Sequence, residues 1–138
     1  MNNEEIFLSA TLIFTLMGSS TVFAAGSEPN DSFATADPLI YYKLGKISSA
    51  TDVDYYKLSG AFMSGSYTFK LSVPTLADFD LYLYEKVGSS YLLRKSSTYA
   101  SSTHESITYN FDSSKEYYFL VKGYNGSTSE YYYILERQ

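Results

Sequence analysis

The sequence contains no cysteine and no tryptophan, a single histidine and only three prolines. Without cysteine there is no disulfide, no thiol nucleophile and no Cys-ligated zinc. One histidine excludes a multi-histidine metal site. Positive charge is sparse as well: ten Lys and Arg stand against fifteen Asp and Glu, a net charge of -5. The basic face of a nucleic-acid binder is therefore missing. No Gly-x-Ser-x-Gly elbow and no glycine-rich phosphate loop occurs; Ser59-Gly60 and Gly123-Tyr124-Asn125-Gly126 read as turns. The densest apolar run, Ile6 to Met17, is 12 residues long, whereas a bilayer span needs about 20. What the chain has in excess is tyrosine, 16 residues beside 9 Phe. Large amphipathic rings favour strands and adhesive surfaces.

Residues Ile6 to Ser27 carry no charge, and the apolar run is followed by Gly18-Ser19-Ser20 and Val22-Phe23-Ala24. Small residues at the two positions a signal peptidase reads predict an export signal over 1–24, with the folded domain at 25–138. The leading Met1-Asn2-Asn3-Glu4-Glu5 departs from that pattern, being acidic where a signal is basic. The competing reading is a retained N-terminal anchor.

From Tyr41 onward the pattern has period two. Tyr67, Phe69, Leu71 and Val73 alternate with Thr68, Lys70 and Ser72; Phe79, Leu81 and Leu83 with Asp80 and Tyr82; Ile107, Tyr109 and Phe111 with Thr108 and Asn110; and Tyr117, Phe119 and Val121 with Tyr118, Leu120 and Lys122. A further strand is predicted over Tyr131 to Glu136. Weaker ones fall near Tyr42 to Ile47, Asp54 to Leu58 and Leu92 to Ser96. About eight short strands at this spacing predict a single all-β antiparallel sandwich or jelly-roll-like domain. One helical turn is expected at Ser32 to Ala36, capped by Asn30 or Asp31 and stopped by Pro38.

Three groups of residues could carry chemistry. Glu28, Asn30 and Asp31 bring three oxygen-bearing side chains together, and Asp52 and Asp54 form a second acidic pair at a strand entry. Two such loops in contact could supply much of a calcium shell of six to eight oxygens. They could equally be a helix cap and two solvated carboxylates. Tyr56 and Lys57 rule out an EF-hand continuation after Asp52. Asp78 and Asp80 share a strand face with Tyr82 and Tyr84, but no third catalytic group accompanies them. His104 lies among serines that form no recognisable triad. On the strand around Phe119, Tyr118, Leu120 and Lys122 oppose the apolar set. With Tyr82, Tyr84 and Tyr124 they make either an aromatic binding face or a second layer of core.

Six segments carry a further signal in their order: Glu28-Pro29-Asn30-Asp31, Gly45-Lys46-Ile47, Asp52-Val53-Asp54-Tyr55-Tyr56, Asp78-Phe79-Asp80-Leu81-Tyr82-Leu83-Tyr84, Tyr117-Tyr118-Phe119-Leu120-Val121 and Tyr131 to Leu135. Together they resemble the bacterial pre-peptidase C-terminal domain, a family of secreted β-sandwiches related to the collagen-binding domains of clostridial collagenases. The resemblance covers nearly all of residues 25–138, and the expectation is a domain read without the protease that usually carries the family. It implies calcium at Glu28, Asn30, Asp31, Asp52 and Asp54, and aromatic side chains engaging an extracellular ligand such as collagen. The expected function is a secreted, non-catalytic, calcium-stabilised module. Its expected partner is an extracellular protein or polymer, with no nucleic acid and no membrane once the signal is cut. The alternative is an accessory or structural secreted protein that assists a separate protease or assembles at the cell surface.

Overall fold

The computed structural model describes residues 26–138, so the export-signal segment expected at 1–24 lies outside the described residues. Nine strands occur among the described residues: β1 (Asp37–Leu39), β2 (Tyr42–Gly45), β3 (Val53–Leu58), β4 (Gly65–Ser72), β5 (Phe79–Val87), β6 (Ser90–Ser97), β7 (Glu105–Phe111), β8 (Glu116–Gly123) and β9 (Tyr133–Arg137). They form a sandwich of a five-stranded sheet, β1-β3-β8-β5-β6, and a four-stranded sheet, β2-β9-β4-β7. The all-β sandwich expected from the alternation is the observed architecture.

The inner faces hold the core that the pattern implies. Tyr56, Leu58, Phe79, Leu81, Leu83, Tyr117, Phe119 and Val121 come from one sheet, and Phe69, Leu71, Ile107, Phe111, Tyr133 and Leu135 from the other. Aromatic rings knit the two layers, with Phe69 against Phe119 at 4.5 Å and Phe111 against Tyr117 at 4.8 Å between centroids. Offset and edge-on ring pairs add to the area they bury, so the layer fills without tryptophan. The β5–β6 hairpin turns on Gly88-Ser89, with Gly88 at a φ of 61°. A residue without Cβ takes that conformation freely.

Two local expectations are corrected. The segment at Ser32 to Ala36 is a hydrogen-bonded turn and not a helix, closed by Thr35 N–H to Ser32 O (3.2 Å) and by the two hydroxyls (2.8 Å). Ser and Thr compete with the helix for backbone partners, and so short a segment is too small to nucleate one. Pro38 does not stop a helix; it sits within β1, which pairs in parallel with β3. An edge strand tolerates proline because its outward side needs no donor.

Candidate functional site

Two loops meet at one end of the sandwich. The first, Glu28 to Asp31, precedes β1; the second, Ser48 to Asp52, turns the chain into β3. Asn30 C=O accepts the Tyr55 N–H at 2.9 Å, which pins the first loop to β3. Asp52 accepts the Ser48 hydroxyl at 2.8 Å and also its N–H, closing the second loop on itself. Carboxylate oxygens of Glu28, Asp31 and Asp52 then lie within 4.8 Å of one another. Like charges so close repel, and burial together with Asp52 and Asp31 pushes the Glu28 carboxyl up from its ordinary value.

Beneath that trio the site is buried. Asn30 and Asp54 have no exposed surface. The Asn30 side chain faces Glu28 Oε2 at 3.2 Å and Asp54 Oδ1 at 2.8 Å, and with its nitrogen turned toward them it donates to both. Tyr133 Oη donates to Asp54 Oδ2, and Tyr133 and Tyr56 share a hydroxyl–hydroxyl bond of 2.6 Å. Burial pushes Asp54 up to about 7, opposed by the Tyr133 hydroxyl and reinforced by Glu28 and Asp52. The polar chain thus runs from the surface trio through Asn30 and Asp54 to two core tyrosines. Gly45 makes room for it. A Cβ there would stand 2.1 Å from Tyr133 Oη and 2.4 Å from Tyr56 Oη.

A second feature lies where β5 begins and β8 ends. Asp78, Asp80, Tyr82, Tyr99, Lys122 and Tyr124 are among the residues lining a cleft of about 500 Å³. Asp80 is buried and accepts the Tyr82 hydroxyl at 3.0 Å. The Lys122 ammonium stands 5.0 Å above the Tyr82 ring. Tyr99 and Tyr124 are exposed.

No family model and no curated protein matches the sequence. Solved structures do. The pre-peptidase C-terminal domain of a collagenase from Bacillus anthracis is similar, with a TM-score of 0.52 at 16% identity, over 75% of this chain and 92% of that one. A mitogen derived from Yersinia pseudotuberculosis is similar too, with a TM-score of 0.52 at 18% identity, over 74% of this chain and 86% of that one. The chain has a pre-peptidase C-terminal-like fold.

On this pre-peptidase C-terminal-like fold, the residues expected at a metal site are brought together, but in two layers. Glu28, Asp31 and Asp52 form the rim; Asn30 and Asp54 form the floor, with Asp54 outside the trio and reached through Asn30. Tyr56 and Tyr133 belong to the same polar chain, and Gly45 is the residue that leaves room for it. Their only sequence signal is membership in the segments Gly45-Lys46-Ile47, Asp52 to Tyr56 and Tyr131 to Leu135.

The tyrosine face separates into two parts. Tyr118 and Leu120 are only 4% and 7% exposed, so they are not available as contact residues on the surface shown. Phe33, carried by the loop after Asp31, lies over that sheet face. It stacks on Tyr91 at 3.7 Å and meets Tyr55, Tyr84 and Tyr118 edge-on at 4.6, 5.3 and 5.5 Å. Tyr84 is half-buried in this box. Tyr82, Lys122 and Tyr124 instead line the cleft. His104 is exposed, and its Nδ1 accepts the Val73 N–H at 3.1 Å, an anchoring role between loops. Among the described residues no helix is long and apolar enough to cross a membrane.

Proposed function

We propose that this β-sandwich is a secreted, non-catalytic binding module that holds calcium at Glu28, Asn30, Asp31 and Asp52, with Asp54 behind them. It presents the tyrosine-lined cleft to an extracellular protein or polymer. The observation that carries the reading is the convergence of two sequence-distant loops on one oxygen cluster. A hard divalent cation is bound by such oxygens and relieves their mutual repulsion. The Asn30 amide can serve either state: its nitrogen donates to Glu28 and Asp54, and turned over, its oxygen would add a ligand to a cation. Chemical fit is good on the rim, where Glu28, Asp31 and Asp52 offer three carboxylates and solvent can complete the shell.

The ion's contribution would be structural. It would tie the strand-leading loop Glu28 to Asp31, and with it Phe33, to the turn before β3. The test is a thermal melt of the protein in millimolar calcium and again with excess chelator. A rise of several degrees in calcium, absent from Asp52→Asn, is expected. A melting temperature indifferent to calcium and chelator would overturn the metal assignment. The resemblance to a collagenase's C-terminal domain supports a module that serves a protease or its substrate, and collagen pull-down tests that narrower reading.

A further inference from the structure

The cleft at the β5–β8 end carries two aspartates that no cation among the described residues pairs directly, and one of their oxygens has no hydrogen-bond partner. Asp80 is 4% exposed, and Asp78 Oδ1 is buried with no hydrogen-bond partner. The backbone of Asp78 is fully engaged, its N–H with Ser127 Oγ at 2.9 Å and its C=O with the Tyr124 N–H at 2.8 Å. The unpartnered oxygen therefore belongs to the side chain alone. Buried carboxylate oxygens are almost always hydrogen-bonded or ion-paired, because desolvating them otherwise is costly. Among the described residues neither aspartate forms an ion pair with Lys or Arg. Lys122, the cation lining this cleft, sits over the Tyr82 ring and acts on Asp80 through its field without pairing with it. Glu105, fully buried against Ser97 and the Tyr99 N–H, adds a third carboxylate whose field reaches Asp78 and Asp80.

The walls are aromatic. Tyr99 is 64% exposed and Tyr124 is 55% exposed, and Tyr82 closes a third side. At about 500 Å³ the cleft lies within the size range of ligand sites. Anionic floor and aromatic walls suit a flat or compact organic cation on an apolar stem, which gains cation–π contact and ion pairing together. A bare divalent ion would want more oxygens than two aspartates provide, and would gain nothing from the rings.

We propose that this cleft receives a Lys or Arg side chain of a partner polypeptide, its ammonium or guanidinium meeting Asp78 and Asp80 between Tyr82, Tyr99 and Tyr124. The inference deepens the binding-module reading and rests on it, but not on the metal. The calcium melt interrogates the Glu28–Asp54 cluster, and the experiment here interrogates the cleft, so either can fail without the other.

The test is an NMR titration of the protein with Nα-acetyl-arginine methylamide, Nα-acetyl-lysine methylamide and the neutral Nα-acetyl-norleucine methylamide. Saturable shifts at the amides of Ala100, Gly123 and Asn125 with either cationic compound, and none with norleucine, are expected. Asp80→Asn should weaken that binding at least tenfold. Tyr124→Ala, at an exposed position where folding is not at stake, should weaken it severalfold. Equal binding of the norleucine compound, no saturable shift, or unchanged affinity in Tyr124→Ala would overturn the proposal. So would calcium chloride alone saturating the same amides, which would make the cleft an inorganic-ion site.

Discussion

Replacing Asp54 by asparagine isolates the charge at the floor of the cluster. Asp54 has no exposed surface, and its carboxyl is pushed from 3.8 up to about 7 by burial, against the pull of the Tyr133 hydroxyl. In the unfolded chain it returns to its ordinary value. Below about pH 4 it is protonated in both states and the folded protein keeps its full stability. As pH rises toward 7, unfolding releases a proton that the folded state retains, so stability falls, and above about 7 the whole penalty is present. Between pH 5 and pH 8 the loss is about 2.5 kcal/mol, because each full proton released on unfolding costs about 1.4 kcal/mol for every step of one in pH. The substituted amide has no charge to lose, and its oxygen can still accept from Tyr133. Urea unfolding in excess chelator at both pH values should therefore show wild type losing about 2.5 kcal/mol more than Asp54→Asn. Other groups with raised carboxyls, such as Asp80 and Glu105, titrate in both proteins and cancel. Calcium should reverse the sign for wild type, since a cation needs the ionised carboxylates. Equal pH dependence in the two proteins, or a wild type more stable at pH 8 than at pH 5 relative to the variant, would refute the argument.

Gly45→Ala should cost about 2–3 kcal/mol, because the added methyl would overlap the Tyr56 and Tyr133 hydroxyls; a melting curve checks it, and an unchanged midpoint would show that the hydroxyl pair can move aside. Tyr118→Ala should lose about 3–4 kcal/mol in urea unfolding, as a buried ring does, rather than behave as a silent surface change. Phe33→Ala, removing a half-buried ring stacked on Tyr91, should cost about 1–2 kcal/mol and leave Tyr118 more accessible to a fluorescence quencher.

Much of the fold is written in local pattern. Strict alternation over Tyr67 to Val73 and Phe79 to Leu83 states both the strand and the face it buries, because side chains on a strand point to opposite sides at every step. Where alternation is weak, as at Pro38, local pattern misleads: edge strands are decided by a neighbour, here β3, and not by their own residues. The two acidic loops are recognisable locally as oxygen-rich, and the family resemblance joins their five residues into one candidate site. Their layering is legible in neither. Asp54 is inside and Asp52 outside because the first is on a strand facing the core and the second is in the turn before it.

The aromatic side chains divide the same way. Period two places Tyr118 and Leu120 on the face opposite Phe119, but alternation cannot say what covers a face. At Tyr118 it is Phe33, from a loop some eighty residues earlier in the chain, that turns an expected contact surface into a ring-packed box. The cleft is likewise assembled from β5, β8 and the loop carrying Tyr99. The chain by itself determined the strands, their inward faces and the acidic loops, since each depends on neighbours along the backbone. Which faces stay open, which carboxylates are desolvated and which tyrosines meet solvent depended on contacts between distant segments, and only the packed sandwich decided them.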